Sequence, residues 1–204
     1  MVSRSFIESL GPELGPLKKL LARTGNEVVI SGSDVLVSHR PEIGPEAYAI
    51  TLHAPQTDSE LAVYETTHGL AIPASYVSVL RSINGGRIFD LSLYGAPRSM
   101  RGSPPLLDRS SRQPQDLATA NRFWRVGFQA APELFHFGGA ALSVDENVGY
   151  FIDASGSVVG MRKGGTEWRR WATFSAFLSA EIDRLEQSFP AFEAFMADTA
   201  RTAR

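Results

Sequence analysis

The stretch from Thr57 to Pro97 constrains the fold most, because it predicts helix, turn, helix, glycine stop and strand in close succession. Thr57 and Glu60 match the S/T-x-x-E pattern of a capping box, which satisfies free backbone N–H groups at a helix start. Gly69 supplies a left-handed helix end, and Pro73 has the backbone angle suited to the first turn of a second helix. The stretch is architectural and carries no chemistry of its own.

The second helix and the strand after it are predicted from the spacing of apolar residues. Helical spacing indicates one buried side, formed by Tyr76, Val79, Leu80 and Ile83. Asn84-Gly85-Gly86 then ends the helix. Alternation predicts a single strand from Ile88 to Tyr94.

Composition limits the class of protein. The chain has 204 residues, a length typical of one domain. A net charge of -2 and a pI near 6.1 argue against a general nucleic-acid binder, which is usually basic. The absence of cysteine excludes disulfides, zinc thiolate sites and thiol nucleophiles. No apolar run reaches the ~20 residues that span a bilayer, and the N-terminus lacks the apolar core of a secretory signal. We therefore expect a cytoplasmic protein that does not enter the membrane.

The segments before the central stretch predict an N-terminal extension. Residues 3–23 have the pattern of a helix broken by Gly-Pro pairs. Glu27–Ile30 and Val35–Ser38 predict a hairpin, and Ala47–Leu52 predicts a further strand. We expect this extension, residues 1–56, to pack on the main domain.

After the central stretch, Gly95–Gln115 predicts a long exposed loop. It contains four prolines and four arginines and has little apolar periodicity. Its arginines (Arg98, Arg101, Arg109 and Arg112) leave two interpretations open, contact with an acidic partner or a solvated insertion, and the second is favoured.

Closely spaced strand signals follow the loop and predict an antiparallel sheet covered by a final amphipathic helix. The predicted elements are a helix at Leu117–Phe123 capped by Asp116, strands at Leu134–Phe137, Ala141–Val144, Val148–Asp153, Ser157–Met161 and Glu167–Trp171, and a helix after Thr173. A shorter helix and a tail occupy residues 190–204, after a main domain at residues 57–189. The predicted class is α+β, a mostly antiparallel sheet packed against helices, in a single domain with an N-terminal extension.

The residues that could carry chemistry form no known catalytic pattern. Phosphate loops, nucleophile elbows and H-E-x-x-H are missing, and we expect no cofactor. The histidines are too scattered to predict a metal site; they are His39, His53, His68 and His136. Glu65 and His68, three residues apart on one helix, leave a hydrolase hypothesis open. That hypothesis predicts a pocket holding both side chains, and a surface interaction is favoured over it.

A basic cluster near the end of the sheet is interleaved with tryptophans. Its members are Arg162, Lys163, Trp168, Arg169, Arg170 and Trp171. Such interleaving can stack nucleotides. Strand alternation instead favours Trp171 facing inward and Arg170 facing solvent.

Several motifs resemble the SUKH superfamily in their order along the chain. They begin with the acidic helix ELAVYETTHG, followed by the I-P-x-x-Y of Ile72, Pro73 and Tyr76, then Asn84-Gly85-Gly86, and the LYG that ends at Gly95. They continue with DLATAN, FHFG, YFID-x-x-G-x-V and TFSAFL, and together they cover roughly residues 57–189. The chain is similar in particular to the Smi/Knr type, which includes a fungal cell-wall assembly regulator and many bacterial immunity proteins.

The resemblance implies an α+β fold and a protein-binding function without catalysis. We expect a bacterial immunity protein that binds and neutralises a cognate toxin, such as a nuclease. A regulatory or scaffold protein with several partners is the alternative. No binding residues transfer from the family, and we select Tyr94, Trp124 and Trp168 as candidate anchors because aromatic side chains dominate tight interfaces. A nuclease partner would present a basic cleft, which predicts an acidic face on this chain.

Overall fold

The computed structural model describes residues 4–23, 28–31, 34–41, 47–97, 113–143 and 145–188. Within these residues the helices are α1 (Arg4–Ser9), α2 (Gly15–Arg23), α3 (Asp58–His68), α4 (Ala74–Leu80), α5 (Leu117–Arg122) and α6 (Phe174–Ser188), with 3-10 helices at Pro12–Leu14 and Trp124–Phe128. Most of the predicted long loop and all of the predicted C-terminal helix lie outside the described residues.

Nine strands in the described residues form one antiparallel sheet, which confirms the predicted α+β class. The strands are β1 (Val28–Ser31), β2 (Asp34–His39), β3 (Tyr48–Leu52), β4 (Gly86–Ile88), β5 (Leu91–Leu93), β6 (Phe135–Ala141), β7 (Asn147–Ile152), β8 (Val158–Arg162) and β9 (Glu167–Trp171). Each strand pairs with its neighbour in sequence. Helices α3 and α4 connect β3 to β4, and α5 lies between β5 and β6.

One face of the sheet carries the main core, where α6 packs on β6 and β7. Phe137 and Tyr150 are fully buried against Phe177, with ring centroids 5.3 and 4.6 Å from its ring. Tyr76 of α4 is also fully buried, and its hydroxyl donates to the carbonyl of Tyr94 at 2.5 Å. That bond ties the I-P-x-x-Y helix to the end of β5.

The N-terminal extension shares both the sheet and this core. Strand β3 pairs with β4, so the three strands of the extension continue the sheet of the main domain. Leu17, Leu20 and Leu21 of α2 are almost fully buried in the main cluster. The Arg23 guanidinium at the end of α2 pairs with Glu186 of α6. The extension is therefore part of a single domain.

The predicted helix signals of the central stretch are confirmed. Thr57 Oγ1 accepts from the Glu60 backbone N–H at 3.3 Å, while the Glu60 carboxylate accepts from the Thr57 N–H at 2.8 Å. Gly69 ends α3 with φ 60°, in the left-handed region that favours glycine. Pro73 lies one position earlier than predicted, as the residue before the first turn of α4.

The single strand predicted from Ile88 to Tyr94 is wrong, because the chain reverses at Phe89 and Asp90. Ile88 pairs with Leu91, so β4 and β5 form a hairpin. Phe89 adopts φ 55°, an uncommon conformation for a bulky side chain. Its N–H donates to the Ala49 carbonyl at 2.7 Å, which holds the turn against β3.

A buried ionic network holds the same turn from the other side. Arg184 of α6 donates to both carboxylate oxygens of Asp90, at 2.8 and 3.2 Å, and to Glu181 at 3.0 Å. Glu181 is 1% exposed, and burial raises the pKa of its carboxyl. The turn therefore depends on charged partners that lie far away in sequence.

The prediction of separate strands at Leu134–Phe137 and Ala141–Val144 is also wrong, since β6 runs from Phe135 to Ala141 through both Gly138 and Gly139, with a bulge after His136. A Cβ at Gly138 would lie 2.6 Å from the Ser92 carbonyl oxygen, and one at Gly139 would lie 2.9 Å from the Tyr94 hydroxyl. The glycines permit close approach of a neighbouring strand and side chain.

The hairpin of β7 and β8, strand β9 and the final helix are confirmed. The Asp153 carboxylate accepts from the backbone N–H groups of Ser155 and Ser157, and Gly156 has φ 84°. Thr173 caps α6 by accepting from the Ala176 N–H at 3.1 Å.

Candidate protein-binding site

An exposed apolar turn follows α5 on the second face of the sheet. Phe123 is 63% exposed, Trp124 39% and Val126 68%. We call these three residues the apolar turn. The other large apolar side chain exposed in the described part of the chain, Val63, lies on α3. A cluster of exposed apolar groups is unusual on a soluble domain and marks a candidate interaction surface.

An aromatic layer lies beneath the turn. Trp124 packs edge-on against Tyr94 with 5.2 Å between ring centroids, and Tyr94 packs in the same way on His136 at 5.2 Å. His136 stacks on Phe151 at 4.3 Å, and Phe128 contacts both His136 and Phe151. The turn therefore rests on a packed support.

Arg125 fixes the backbone after the turn. Its guanidinium donates to the carbonyl of Pro132 at 3.1 Å and to that of Ala130 at 3.3 Å, and it also donates to Ala131. The planar fork of an arginine suits several acceptors at once. The Arg125 side chain turns toward these carbonyls, while the neighbouring side chains of Trp124 and Val126 remain exposed to solvent.

Helix α5 is itself fastened to two other elements. Asp116 accepts from the N–H groups of Ala118 and Thr119, as predicted for its cap, and from the hydroxyl of Tyr64 on α3. Asn121 exchanges two hydrogen bonds of 2.9 Å with the backbone of His136 on β6. The asparagine of the DLATAN motif thus fixes α5 to the sheet.

His136 is the titratable group in the aromatic layer. It is fully buried and lies on the opposite face of β6 from Phe135 and Phe137. Burial, with a smaller contribution from the positive charge of Arg125, lowers the pKa of its imidazole to about 4. Nδ1 lies 3.4 Å from the Ala120 carbonyl, and the described residues offer Nε2 no partner. The side chain is therefore neutral near pH 7.

Two exposed cations lie near the apolar turn. Arg122 and Lys163 are exposed, and no described carboxylate pairs with either. Lys163 is close because the next residue, Gly164, donates its N–H to the Gly127 carbonyl at 3.3 Å. Glu133 lies beside Arg122 in a groove of about 420 Å³, and Glu146 pairs with Arg162 at 2.5 Å.

The structure brings together two of the three predicted anchors. Tyr94 is 7% exposed and supports Trp124 from below. Trp168 lies apart from them on β9, half-buried against Trp171, with 5.9 Å between ring centroids. As expected from alternation, Trp171 is buried and Arg170 is exposed, where it pairs with Glu167 and Asp153.

Glu65 and His68 have separate contacts. The Glu65 carboxylate accepts from the Ile72 N–H at 2.7 Å, which closes the turn between α3 and α4. His68 is exposed and its ring lies on that of Tyr64, 4.5 Å away. Across the described ranges, no three acidic or histidine side chains converge as a metal site would require. In that same part of the chain, no helix combines the length and apolar character needed to cross a bilayer.

Sequence reasoning missed Phe123, Arg125 and Val126 as parts of the site. The available signal was the run Phe123–Val126, which places three large apolar residues at and just beyond the end of the predicted helix Leu117–Phe123. Without periodicity, such a run does not reveal whether it is buried or exposed.

Comparison of the sequence with family models gives no match. A comparison with curated proteins gives no match either.

Proposed function

We propose that this chain is a protein-binding domain of the SUKH superfamily that acts in the bacterial cytoplasm as an immunity protein. It neutralises a cognate toxin by direct binding and needs neither catalysis nor a cofactor. The order of the motifs from Ile72 to the helix after Thr173 supports the family assignment.

The apolar turn is the observation that carries the proposal. Neutralisation of a toxin requires tight binding, on the order of -12 to -16 kcal/mol for nanomolar to picomolar affinity. A few exposed aromatic and apolar anchors supply most of such an energy when they fill pockets on the partner. Phe123, Trp124 and Val126 are exposed and adjacent.

The support beneath the turn favours tight binding because it removes part of the entropic penalty. Ordering a flexible loop on association weakens binding, and a pre-organised loop avoids that loss. The clamp of Arg125 and the packing of Trp124 on Tyr94 hold the turn before any partner arrives.

A pulldown from native lysate with the full-length protein as bait tests the proposal. The wild type, a Phe123→Ser/Val126→Ser variant and a Val63→Ser control are compared by mass spectrometry. We expect one dominant partner with the wild type and the control and none with the double variant. That partner should bind with nanomolar or tighter affinity, stop growth when expressed alone, and be neutralised on co-expression.

Several weak partners that do not depend on the turn would contradict the immunity proposal. A dominant partner that is harmless to the cell would also contradict it. Either result would favour the alternative, a regulatory or scaffold protein with several partners.

A further inference from the structure

The side chains around the apolar turn specify the kind of surface that it fits. One exposed cation adjoins the apolar turn in sequence, and a second lies on a neighbouring turn of the sheet. Arg122 precedes Phe123 directly, and Lys163 lies on the turn between β8 and β9. The hydrogen bond from Gly164 to Gly127 joins that second turn to the first. The two cations therefore flank one continuous surface.

The charges of these two side chains are available to a partner. Neither pairs with a described carboxylate, whereas Arg162 beside them is already neutralised by Glu146. Arg125 directs its guanidinium to backbone carbonyls and keeps its full charge. Glu133 is the one acidic side chain in the groove that Arg122 lines, so the net charge there is positive.

We infer that the apolar turn binds an acidic protein surface, an apolar pocket rimmed by aspartate or glutamate side chains. Opposite charge around an apolar anchor raises the association rate and excludes partners of like charge. This inference rests on the proposed function, because it names the chemistry of the surface that the immunity domain contacts.

The inference changes the expected mode of neutralisation. A nucleic-acid-binding cleft is lined with lysine and arginine to contact phosphates. Such a cleft would repel Arg122 and Lys163. If the toxin is a nuclease, this domain therefore contacts an acidic surface outside the cleft rather than the cleft itself.

Selection from a random twelve-residue peptide library against the immobilised full-length protein tests the inference. We expect the enriched peptides to combine large apolar residues with aspartate or glutamate. Their binding should disappear in the Phe123→Ser/Val126→Ser variant. It should also weaken about tenfold or more in Arg122→Glu/Lys163→Glu, because both attractive charges become repulsive.

Lys19→Glu is the matched control. Lys19 is an exposed lysine of α2, away from the turn, and its reversal should leave peptide affinity unchanged. Raising the salt concentration from about 0.1 M to about 1 M shortens the Debye length from about 10 Å to about 3 Å. The affinity of the wild type for the enriched peptides should fall over this range, and that of the charge-reversed variant should not.

Enrichment of neutral or basic peptides, or of none that require the turn, would overturn the inference. Equal affinity of the enriched peptides for the wild type and the charge-reversed variant would also overturn the inference.

Failure of the proposed function can be distinguished from failure of this inference. A toxin that binds the charge-reversed variant as well as the wild type overturns the inference alone. Acidic peptides bound at the turn, with no toxin in the pulldown, overturn the proposed function alone.

Discussion

The two faces of the sheet are built differently. On the first face, whole helices cover the strands, and Phe137 and Tyr150 pack against Phe177. On the second face, a 3-10 helix of five residues, Trp124–Phe128, covers His136 and Phe151. A long amphipathic helix buries one stripe and leaves a polar outer side. A 3-10 helix of five residues is too short to bury a whole stripe and also present a polar outer side. It packs Phe128 against Phe151 and leaves Trp124 39% exposed.

This difference separates stability from recognition. The first face supplies most of the core, and substitutions there should act on folding. The second face holds a small aromatic layer whose outer members are exposed, and substitutions there should act more on binding. The following predictions test that division, from the largest expected effect to the smallest.

Phe137→Ala should have the largest effect on stability. Phe137 is fully buried among four aromatic rings of the first face, and its truncation should lower the free energy of unfolding by about 4 kcal/mol. Phe151→Ala, equally buried on the second face, should lower it less, by about 3 kcal/mol, because the short covering turn can move inward. Urea denaturation measures both. A larger loss for Phe151→Ala would contradict the proposed division between the faces.

Mild acid should weaken the second face through His136. Because the pKa of its imidazole is lowered to about 4 in the folded state, the unfolded chain takes up a proton at higher pH than the folded chain does. The contribution is fully present above the ordinary pKa of 6.5 and is lost as the pH falls toward 4. The free energy of unfolding should fall by up to about 3 kcal/mol across that window.

A His136→Phe variant is the control for this effect, since it keeps a ring stacked on Phe151 and cannot titrate. Urea midpoints of both proteins between about pH 6.5 and about pH 5 isolate His136, because every carboxylate, including Glu181 with its raised pKa, is present in both proteins. Carboxylates such as Asp116, whose pKa is lowered by bonds from Thr119 and Tyr64 in spite of its burial, titrate at lower pH. An equal loss in both proteins would assign the effect to groups other than His136.

Arg125→Lys should loosen the apolar turn with a small effect on the whole fold. Lysine keeps the positive charge but lacks the planar fork that reaches several carbonyls, so we expect a loss of about 1 kcal/mol. Hydrogen exchange should become faster at residues 123–129 and remain unchanged in β7. Unchanged exchange at the turn would show that the clamp does not order it.

Phe123→Ser should have the smallest effect on stability. The side chain is 63% exposed, and we expect the free energy of unfolding to change by less than about 0.5 kcal/mol. Partner affinity should fall by about 2 kcal/mol, since an exposed aromatic anchor is removed. Calorimetric titration with the partner from the pulldown, beside thermal unfolding, measures both quantities. If Phe123→Ser lowered the free energy of unfolding without lowering partner affinity, Phe123 would act in the core and not in binding.

The elements that the sequence predicted are those with local signals. The capping box at Thr57, the cap at Asp116 and the Asp153 turn all depend on contacts within a few residues. The hairpin at Phe89 was missed because its turn is held by Ala49 and by Arg184, far away in the chain. A turn that uses a phenylalanine at positive φ leaves no glycine or asparagine to reveal it.

The candidate site was predicted in part for the same reason. Aromatic identity was enough to select Trp124, and the structure places it at the exposed turn. It could not distinguish Trp124 from Tyr94, which is buried beneath it, or from Trp168, which packs on the last strand. Exposure depends on which strand or helix covers a side chain, and that is a property of the whole fold.

The contact between α2 and α6 has a consequence for synthesis on the ribosome. Each strand pairs with its predecessor, so the sheet can grow as the chain emerges, N-terminal end first. The leucines of α2 are not fully covered until α6 arrives, because α2 packs mainly against that helix. A nascent chain that stops before Phe174 would expose the apolar side of α2. We expect chaperones to bind the nascent chain at that stage.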